Sequence, residues 1–340
     1  MYNKKTLIII LNWNGSQDTI DCCVSLSKSA EIANDNTSVL IIDNNSNAES
    51  LIKLKCGLES CFGSSNYLNL DEDISHEYNL SSYCSFGTFS LICSNVNHGF
   101  ARGCNLGAKL ANKLKYEYIL FLNNDTVVER DFLKPLLTMI KDNDAVIPQI
   151  RYFHDKNLIW NCGGEINIFG SRKYYFAGDN ANEIEVPKFP FRITFATGCC
   201  ILFRTDYFLK SGLFSERFFF GEEDIDYALR LKKIKAKIFC VTQSIIYHKV
   251  GASLAGDLTK LRRKAFIHFL NRFINMKKHL GLFWPIWIIP AIFKMIVNLK
   301  VIYKLSFFQT IAFSYKILTN AIIKSRVEKS YFEKIMNEGY

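Results

Sequence analysis

Two polar motifs contain the residue types best suited to metal and acid–base chemistry, and Asn123-Asn124-Asp125 is the first. It directly follows an apolar run. A carboxylate with amide neighbours at a strand end can hold Mg²⁺ or Mn²⁺, since these ions use few protein carboxylates and take other ligands from water and phosphate. The same residues are equally typical of a cap on a following helix. The motif leaves both interpretations open.

The second motif is the acidic stretch from Gly221 to Asp226, which holds four carboxylates in five residues. Such groups repel one another, and crowding with burial raises a carboxylate pKa towards the working pH of a general base. Acidic residues are also favoured in the first turn of a helix by the helix dipole, which is a strong alternative for Glu222 and Glu223.

Two further features have little meaning alone. The glycine-studded stretch from Asn97 to Gly107 predicts a helix start whose N–H groups can face an anion, but it lacks the spacing of a P-loop. His248 ends an apolar run, and a lone histidine is more often structural than a ligand. It becomes relevant only if a metal site lies nearby.

Short apolar runs predict the strands that must position these residues. The runs are Thr6–Leu11, Val39–Ile42 and Tyr118–Leu122, with helical stretches at Ser16–Ala30 and Ala101–Leu114. This alternation predicts an α/β fold with a mostly parallel sheet buried on both faces. Each run stops at a cluster of Asn and Asp, and ligands of such sheets bind beyond the carboxyl ends of the strands. Turn formation explains one cluster, but three in register favour a site.

Other parts of the chain have a different character. Residues 57–90 are polar, and we expect a surface loop there. Between 145 and 257 the helical period fades, which indicates a more mixed sheet with covering loops. None of the 11 cysteines has C-x-x-C spacing, so we expect no zinc site and reduced thiols in a cytoplasmic protein.

The positive charge is concentrated at the carboxyl-terminal end. Residues 1–257 hold 27 basic and 29 acidic side chains (net −2), whereas residues 258–340 hold 15 and 3 (net +12). We find no nucleic-acid motif, and the apolar and aromatic residues between the lysines suit a membrane surface better. For the apolar run 280–299 we expect interfacial attachment first, packing on the body second and a membrane span third.

In their order along the chain, several motifs resemble the family 2 glycosyltransferases of the GT-A fold, within them the rhamnosyltransferase-like branch. The resemblance spans roughly residues 5–275 and is carried by eight segments: 10–15 (ILNWNG), 42–46 (IDNNS), 97–105 (NHGFARGCN), 121–126 (FLNNDT), 196–199 (ATGC), 212–219 (GLFSERFF), 223–226 (EDID) and His248.

The resemblance implies a GT-A domain over residues 1–257. The polar composition of 57–90 predicts an insertion in this domain, and the helical pattern from 258 onward predicts a helical extension over 258–340. It also implies inverting transfer of a sugar from a nucleotide diphosphate donor, dTDP-rhamnose or a UDP-sugar, with Mg²⁺ or Mn²⁺. The acceptor would be a hydroxyl of a glycan or of a lipid-linked sugar in polysaccharide synthesis. The enzyme would then work in the cytoplasm, at the inner face of the cell membrane.

The resemblance also assigns roles to residues. Asp224 matches the catalytic base, with Glu223 as the second candidate, and Asp125 matches the metal-binding acid, with His248 near the same ion. Asp226 would orient the site or pair with Arg230. The residues expected at the nucleotide sugar are Asn12, Asn14, Asp43, Asn97, Gly99, Asn105 and Asn123.

The sequence departs from the family pattern where Asn123 and Asn124 replace an acidic residue or proline, which predicts modest metal affinity. Two alternatives stay open. A sugar-phosphate nucleotidyltransferase would need a basic loop after the first strand, and Asn12-Trp13-Asn14-Gly15 has no basic residue. A non-catalytic membrane scaffold would explain the basic tail but not the acidic motifs.

Overall fold

A computed structural model describes residues 6–33, 37–73, 88–250 and 257–340. The strands are β1 Thr6–Asn12, β2 Thr37–Asp43, β3 Tyr67–Asp73, β4 Phe89–Cys93, β5 Tyr118–Asn123, β6 Thr126–Val128, β7 Ala145–Tyr152, β8 Ile159–Asn161, β9 Gly164–Ile166, β10 Arg172–Tyr174, β11 Phe191–Ile193, β12 Cys200–Arg204 and β13 Ile238–His248. The helices are α1 Ser16–Ser27, α2 Ala30–Ala33, α3 Ala48–Asn66, α4 Gly99–Lys113, α5 Leu133–Met139, α6 Thr205–Lys210, α7 Glu223–Lys233, α8 Leu258–Leu280, α9 Trp284–Val301, α10 Phe307–Ile323 and α11 Lys329–Glu338.

One large sheet forms the centre of the fold. Its order is β11-β13-β7-β12-β5-β1-β2-β4-β3, with β6 on β13 and β8 on β7. Strands β5, β1, β2, β4 and β3 run parallel, and β12 lies antiparallel between β5 and β7. The predicted α/β class, with a central sheet flanked by helices and a helical carboxyl-terminal region, is confirmed.

The predicted strands and helices also appear near their expected bounds. Strands β1 and β2 are buried along almost their whole length, as continuous apolar runs predict for strands covered on both faces. The mixed sheet expected after residue 145 is confirmed by the antiparallel pairs that β12, β11 and β8 make.

The surface loop expected over residues 57–90 is wrong for the described part of that range. Helix α3 continues to Asn66, and β3 adds an edge strand beside β4. The apolar residues Leu54, Leu58 and Phe62 lie four residues apart, so they share one helix face in a polar sequence. Phe62 stacks on Phe89 at 4.1 Å between ring centroids. Residues 74–87 lie outside the described residues.

The carboxyl-terminal helices share a hydrophobic core with the body. Ile225 and Leu229 of α7 belong to the same buried cluster as residues of α8, α9 and α10. The backbone at Val327 also bridges to Phe218, which precedes α7. Among the described residues, the stretch Leu258–Val301 is long and apolar enough to cross a membrane by length and composition. Packing on the body is therefore real for one face of this region.

Candidate active site at the carboxyl ends of the strands

The strand register brings the predicted polar clusters to one edge of the sheet. Asn12 lies opposite Asp43, Asp43 opposite Cys93, and Leu11 opposite Asn123. The ends of β1, β2, β4 and β5 are therefore adjacent, as expected for parallel strands.

Asn12 and Asp43 form the buried centre of this edge. The Asn12 amide donates to Oδ1 of Asp43 (2.6 Å) and to the Ser46 hydroxyl (3.1 Å), and its oxygen accepts from the Thr19 hydroxyl (2.8 Å). Asp43 also accepts from the backbone N–H of Ser46 (3.0 Å). Both side chains are buried, so they hold the loops after β1 and β2 in place.

Asn14 lies at the rim of this edge. It has a left-handed backbone (φ 54°), and its side-chain oxygen accepts from the N–H of Asn47 (2.8 Å) just before α3. Between it and Asn12, the Trp13 ring is 59% exposed. An exposed indole beside a polar strand end offers a face on which a planar ring can stack.

Asp125 and His248 meet although 123 residues separate them. Nε2 of His248 lies 3.1 Å from the Asp125 carboxylate. Asn123 and Asn124 precede them, and the Asn124 amide donates to the Thr19 hydroxyl (3.0 Å). Strand β6 follows Asp125 directly. The helix-cap interpretation of this motif is therefore wrong.

The atoms around Asp125 fit a divalent cation that is shared with a phosphate. Oδ1 of Asp125 and Nδ1 of His248 are buried without a hydrogen-bond partner among the described residues. The Asp125 side chain remains 33% exposed, so a ligand can reach it. In the described ranges no group of three or more His, Cys, Asp or Glu could hold a metal. The chain would thus supply one or two ligands, and phosphate and water the rest.

Two carboxylates of the acidic motif anchor α7 to its surroundings. Glu222, with a left-handed backbone (φ 72°), accepts from Nε of Arg272 on α8 at 2.9 Å. The fully buried Asp226 accepts from Arg230 (2.8 Å) and contacts His279 (3.0 Å). Burial alone would raise the pKa of Asp226, but the His279 hydrogen bond and the Arg230 charge hold it well below its usual range. The predicted pairing of Asp226 with Arg230 is confirmed.

The other two carboxylates lack such partners. Burial, and next the charge of Asp224, raises the pKa of Glu223 to about 8. Burial also raises the pKa of Asp224, although the Arg172 charge opposes the shift. Oε2 of Glu223 is buried with no hydrogen-bond partner in the described part of the chain. Asp224 borders a pocket that Thr197 and Gly198 also line. Raised pKa values of this kind suit a carboxylate that takes a proton from a substrate.

The glycine-studded segment packs against the loop before α7. Gly99 has φ 76°, and a Cβ there would overlap the carbonyl oxygen of Phe219. The side chain of Asn97 accepts from the N–H of Gly99 (2.9 Å) and fixes this turn. The start of α4 therefore lies next to the segment that leads into Glu223.

Asn105 of α4 is bonded to the loop before α7. Its amide donates to the carbonyl oxygen of Phe214 (2.9 Å) and to Glu216 (2.8 Å), and its oxygen accepts from the N–H of Phe214 (3.0 Å). These bonds occupy the side chain and fix the loop at residues 214–216.

Several residues of the site were not predicted from the sequence. Thr19 and Ser46 complete the Asn12 network, and Arg172 and Arg272 place positive charge near Asp224. Ser46 stands in the polar cluster after β2, which was a sufficient hint. Nothing in the local sequence marks Arg272 as a partner of Glu222, 50 residues away.

The chain resembles known proteins in sequence and in fold. The model of the family "Glycosyl transferase family 2" matches residues 75–212. The low-salt glycan biosynthesis hexosyltransferase Agl10 of Haloferax volcanii is 23% identical over 218 residues, which are 62% of this chain and 67% of that protein.

Two solved structures share the fold. GalNAc-T7, crystallised with UDP, GalNAc and Mn²⁺, has a TM-score of 0.55 at 16% identity over 80% of this chain and 51% of its own. The mannosyltransferase PcManGT of Pyrobaculum calidifontis, in complex with GDP-Man and Mn²⁺, has a TM-score of 0.52 at 10% identity over 96% of this chain and 77% of its own. The chain thus spans about half the length of GalNAc-T7.

The glycosyltransferase family 2 domain and the hexosyltransferase relative support a glycosyltransferase, and the structural neighbours share the GT-A-like fold. The domain matched over residues 75–212 is that of glycosyltransferase family 2.

Proposed function

We propose that the chain is an inverting glycosyltransferase that moves a sugar from a nucleotide diphosphate to a hydroxyl of a glycan or a lipid-linked sugar. The observation that carries the proposal is the half-buried pair Glu223 and Asp224, whose pKa values are raised, in a fold whose strand-end edge also holds Asp125 and His248. The rhamnosyltransferase-like motifs favour dTDP-rhamnose as donor, with a UDP-sugar as the other choice.

The donor would lie along the ends of β1, β2, β4 and β5. Asn12 and Asp43 fix the loops that receive the nucleoside, and Asn14, Asn123 and the exposed Trp13 line its rim. Asn97 and Gly99 shape the pocket wall towards α7, while Asn105 positions the loop behind it. That UDP and GDP-Man are bound by the two structural neighbours supports a nucleotide donor here.

Asp125 and His248 would hold Mg²⁺ or Mn²⁺. The ion supplies positive charge that stabilises the diphosphate as it leaves. The chain's own part is to keep a carboxylate and an imidazole within 3.1 Å of each other, with the Asp125 side chain partly open to solvent.

Asp224 would act as the base. As the acceptor oxygen bonds to the anomeric carbon, the bond from that carbon to the diphosphate oxygen breaks on the opposite face. The acceptor proton passes to the Asp224 carboxylate, and the configuration is inverted. Burial keeps the pKa of Asp224 raised, and Glu223, beside it, is the second candidate for the proton.

The Agl10 relative, a glycan biosynthesis hexosyltransferase, supports a role in glycan assembly. We propose that this role is in cell-surface polysaccharide synthesis, in the cytoplasm at the inner membrane face. All ten described cysteines are free, which suits that reducing compartment.

Calorimetry with a panel of nucleotide diphosphate sugars, with and without Mn²⁺, tests the proposal. We expect one dTDP- or UDP-sugar to bind in a metal-dependent manner, and Asp125→Ala to abolish that dependence. The matched control is Asp142→Ala, an exposed carboxylate that precedes β7, at the opposite end of that strand from the residue paired with His248. If the folded protein binds no member of the panel, the donor assignment is wrong.

A further inference from the structure

The carboxyl-terminal helices α9 and α10 pack one apolar face on the core and expose a second apolar face. On α9, the residues Trp284, Ile288, Met295 and Leu299 are buried, which defines the face that packs inward. The opposite face carries Ile286, Ile289 and Phe293, each about 70% exposed. Helix α10 continues this surface with Phe308 (81% exposed), Ile311 and Tyr315.

We propose that this face of α9 and α10, together with the turn between β9 and β10, inserts into the surface of a bilayer that contains anionic lipid. We call it the insertion face. It deepens the proposed function by supplying the site where a lipid-linked acceptor would lie, and to that extent it rests on it.

A contiguous groove between the two helices supports lipid as the occupant. Ile292 and Ile296 of α9 face Ile311 and Leu318 of α10, and the lining is almost entirely apolar. Lys300 stands at its edge, with its ammonium group 5.2 Å from the centre of the Phe307 ring. Apolar side chains with a lysine beside them are typical of segments that lie in the headgroup region of a membrane.

The insertion face reaches towards the catalytic end of the molecule. The Trp287 indole N–H donates to the carbonyl oxygen of Phe169 (3.0 Å), in the turn between β9 and β10. In that turn Ile168 and Phe169 are 61% and 50% exposed. The same hairpin carries Arg172, whose charge acts on Asp224. A lipid-linked acceptor at the face would thus approach the proposed base.

The charges select an anionic bilayer over the other occupants. Between Trp284 and Ile323 there are four lysines (294, 300, 304 and 316) and no aspartate or glutamate. In a two-fold symmetric dimer this surface would meet its own copy and bring like charges together. A membrane span is disfavoured because α9 packs inward along one face and carries Lys294 and Asn298.

Co-sedimentation of the full chain with vesicles tests the proposal. We expect binding to vesicles of phosphatidylcholine with phosphatidylglycerol, weaker binding to phosphatidylcholine alone, and loss of binding as salt is raised. The double variant Ile289→Ser/Phe293→Ser should lower the partition constant at least about tenfold, since each side chain loses its transfer into the apolar layer.

The matched control is Ile52→Ser/Phe189→Ser, which removes two apolar side chains that are 62% and 79% exposed elsewhere. Equal losses in both double variants would overturn the proposal. So would equal binding to both vesicle types at all salt concentrations. Light scattering without lipid detects a dimer, and resistance of the membrane-bound protein to alkaline extraction detects a membrane span. A dimer formed through this face, or a span, would overturn the proposed insertion face.

Donor binding, measured on the same variants by calorimetry, separates this proposal from the proposed function. Lost vesicle binding with intact donor binding supports the insertion face. If wild-type protein binds vesicles but no nucleotide sugar, the insertion face stands and the proposed function fails.

Discussion

Asp224 is the residue on which the proposed chemistry depends most. It borders the pocket, and its half-buried carboxylate has a raised pKa. We predict that Asp224→Asn lowers kcat by about 10²–10⁴-fold, the usual contribution of a positioned base, because the amide cannot take the proton. Donor affinity should be nearly unchanged, since the base faces the acceptor.

Steady-state kinetics and donor calorimetry on the same preparation check this prediction. The control is Asp206→Asn, an exposed carboxylate on α6. If the Asp224 variant keeps full kcat and Glu223→Gln loses it, the proton passes to Glu223 instead.

Glu223 makes the stability of the protein depend on pH. Its pKa is raised to about 8 by burial and the neighbouring charge, so the folded chain binds its proton more tightly than the unfolded chain does. The stability it contributes is fully present below its unfolded pKa near 4.5 and is lost as pH rises through about 8. The free energy of unfolding should fall by at most about 1.4 kcal/mol per pH unit through this one group.

Urea unfolding of wild type and Glu223→Gln between pH 5 and 9 measures this effect. We predict that the free energy of unfolding of wild type falls relative to the variant as pH rises. The exposed Glu59→Gln serves as control. Parallel curves for wild type and Glu223→Gln would show that Glu223 titrates normally.

Residue roles were predictable from sequence only where motif and position agree. The strand ends place Asn12 and Asp43 opposite each other, as the three polar clusters in register indicated. The burial of both side chains was not predictable, because it depends on Thr19 and Ser46 closing around them.

At the scale of elements, α8 fixes the orientation of α7 through buried ion pairs. Arg272 lies against the buried Glu222 at 2.9 Å. We predict that Arg272→Ala destabilises the protein by about 3–5 kcal/mol, because it leaves an uncompensated buried carboxylate. Adding Glu222→Gln should recover much of the loss.

Urea unfolding of the single and double variants tests this coupling, with Lys260→Ala as control. Lys260 pairs with Asp257 at 4.0 Å on the surface and should cost less than about 1 kcal/mol. Equal stability of the single and double Arg272 variants would mean that Glu222 is solvated.

The buried strands could be predicted from the sequence, whereas α3 and β3 could not, because their polar composition masks the periodicity of their apolar residues. Buried strands read as uninterrupted apolar runs, so β1, β2 and β5 were clear. In α3 the apolar face has only one residue per turn, and β3 is an edge strand containing acidic residues. The polar composition over 57–90 therefore indicated a loop, although the end of α3 and the whole of β3 lie in this range.

On the scale of the whole molecule, the boundary at residue 257 divides charge but not the hydrophobic core. The helical region has a net charge of +12 and the rest of the chain −2, yet the helical side chains enclose Phe195, Phe218 and α7 in one cluster. The division of charge can be predicted from sequence composition. The shared hydrophobic core cannot, because the contacts that join the two regions are long-range. Two domains over 1–257 and 258–340 remain a prediction.

The shared core predicts that both regions unfold together. Leu229 on α7 is 4% exposed and belongs to the cluster that includes Phe273 and Ile317. We expect Leu229→Ala to destabilise the body and the helical region equally, by about 2–5 kcal/mol.

Two variants with a single tryptophan make the comparison, because Trp160 reports on β8 and Trp284 on α9. Fluorescence during urea unfolding should give the same midpoint at both positions, and Leu229→Ala should shift both midpoints equally. If the Trp284 midpoint comes first and Leu229→Ala moves only the Trp160 midpoint, the helical region is an independent domain. If Leu229→Ala shifts both unfolding midpoints equally, the two regions unfold as one unit. A change in α8 or α9 then affects the acidic pair on α7 through packing.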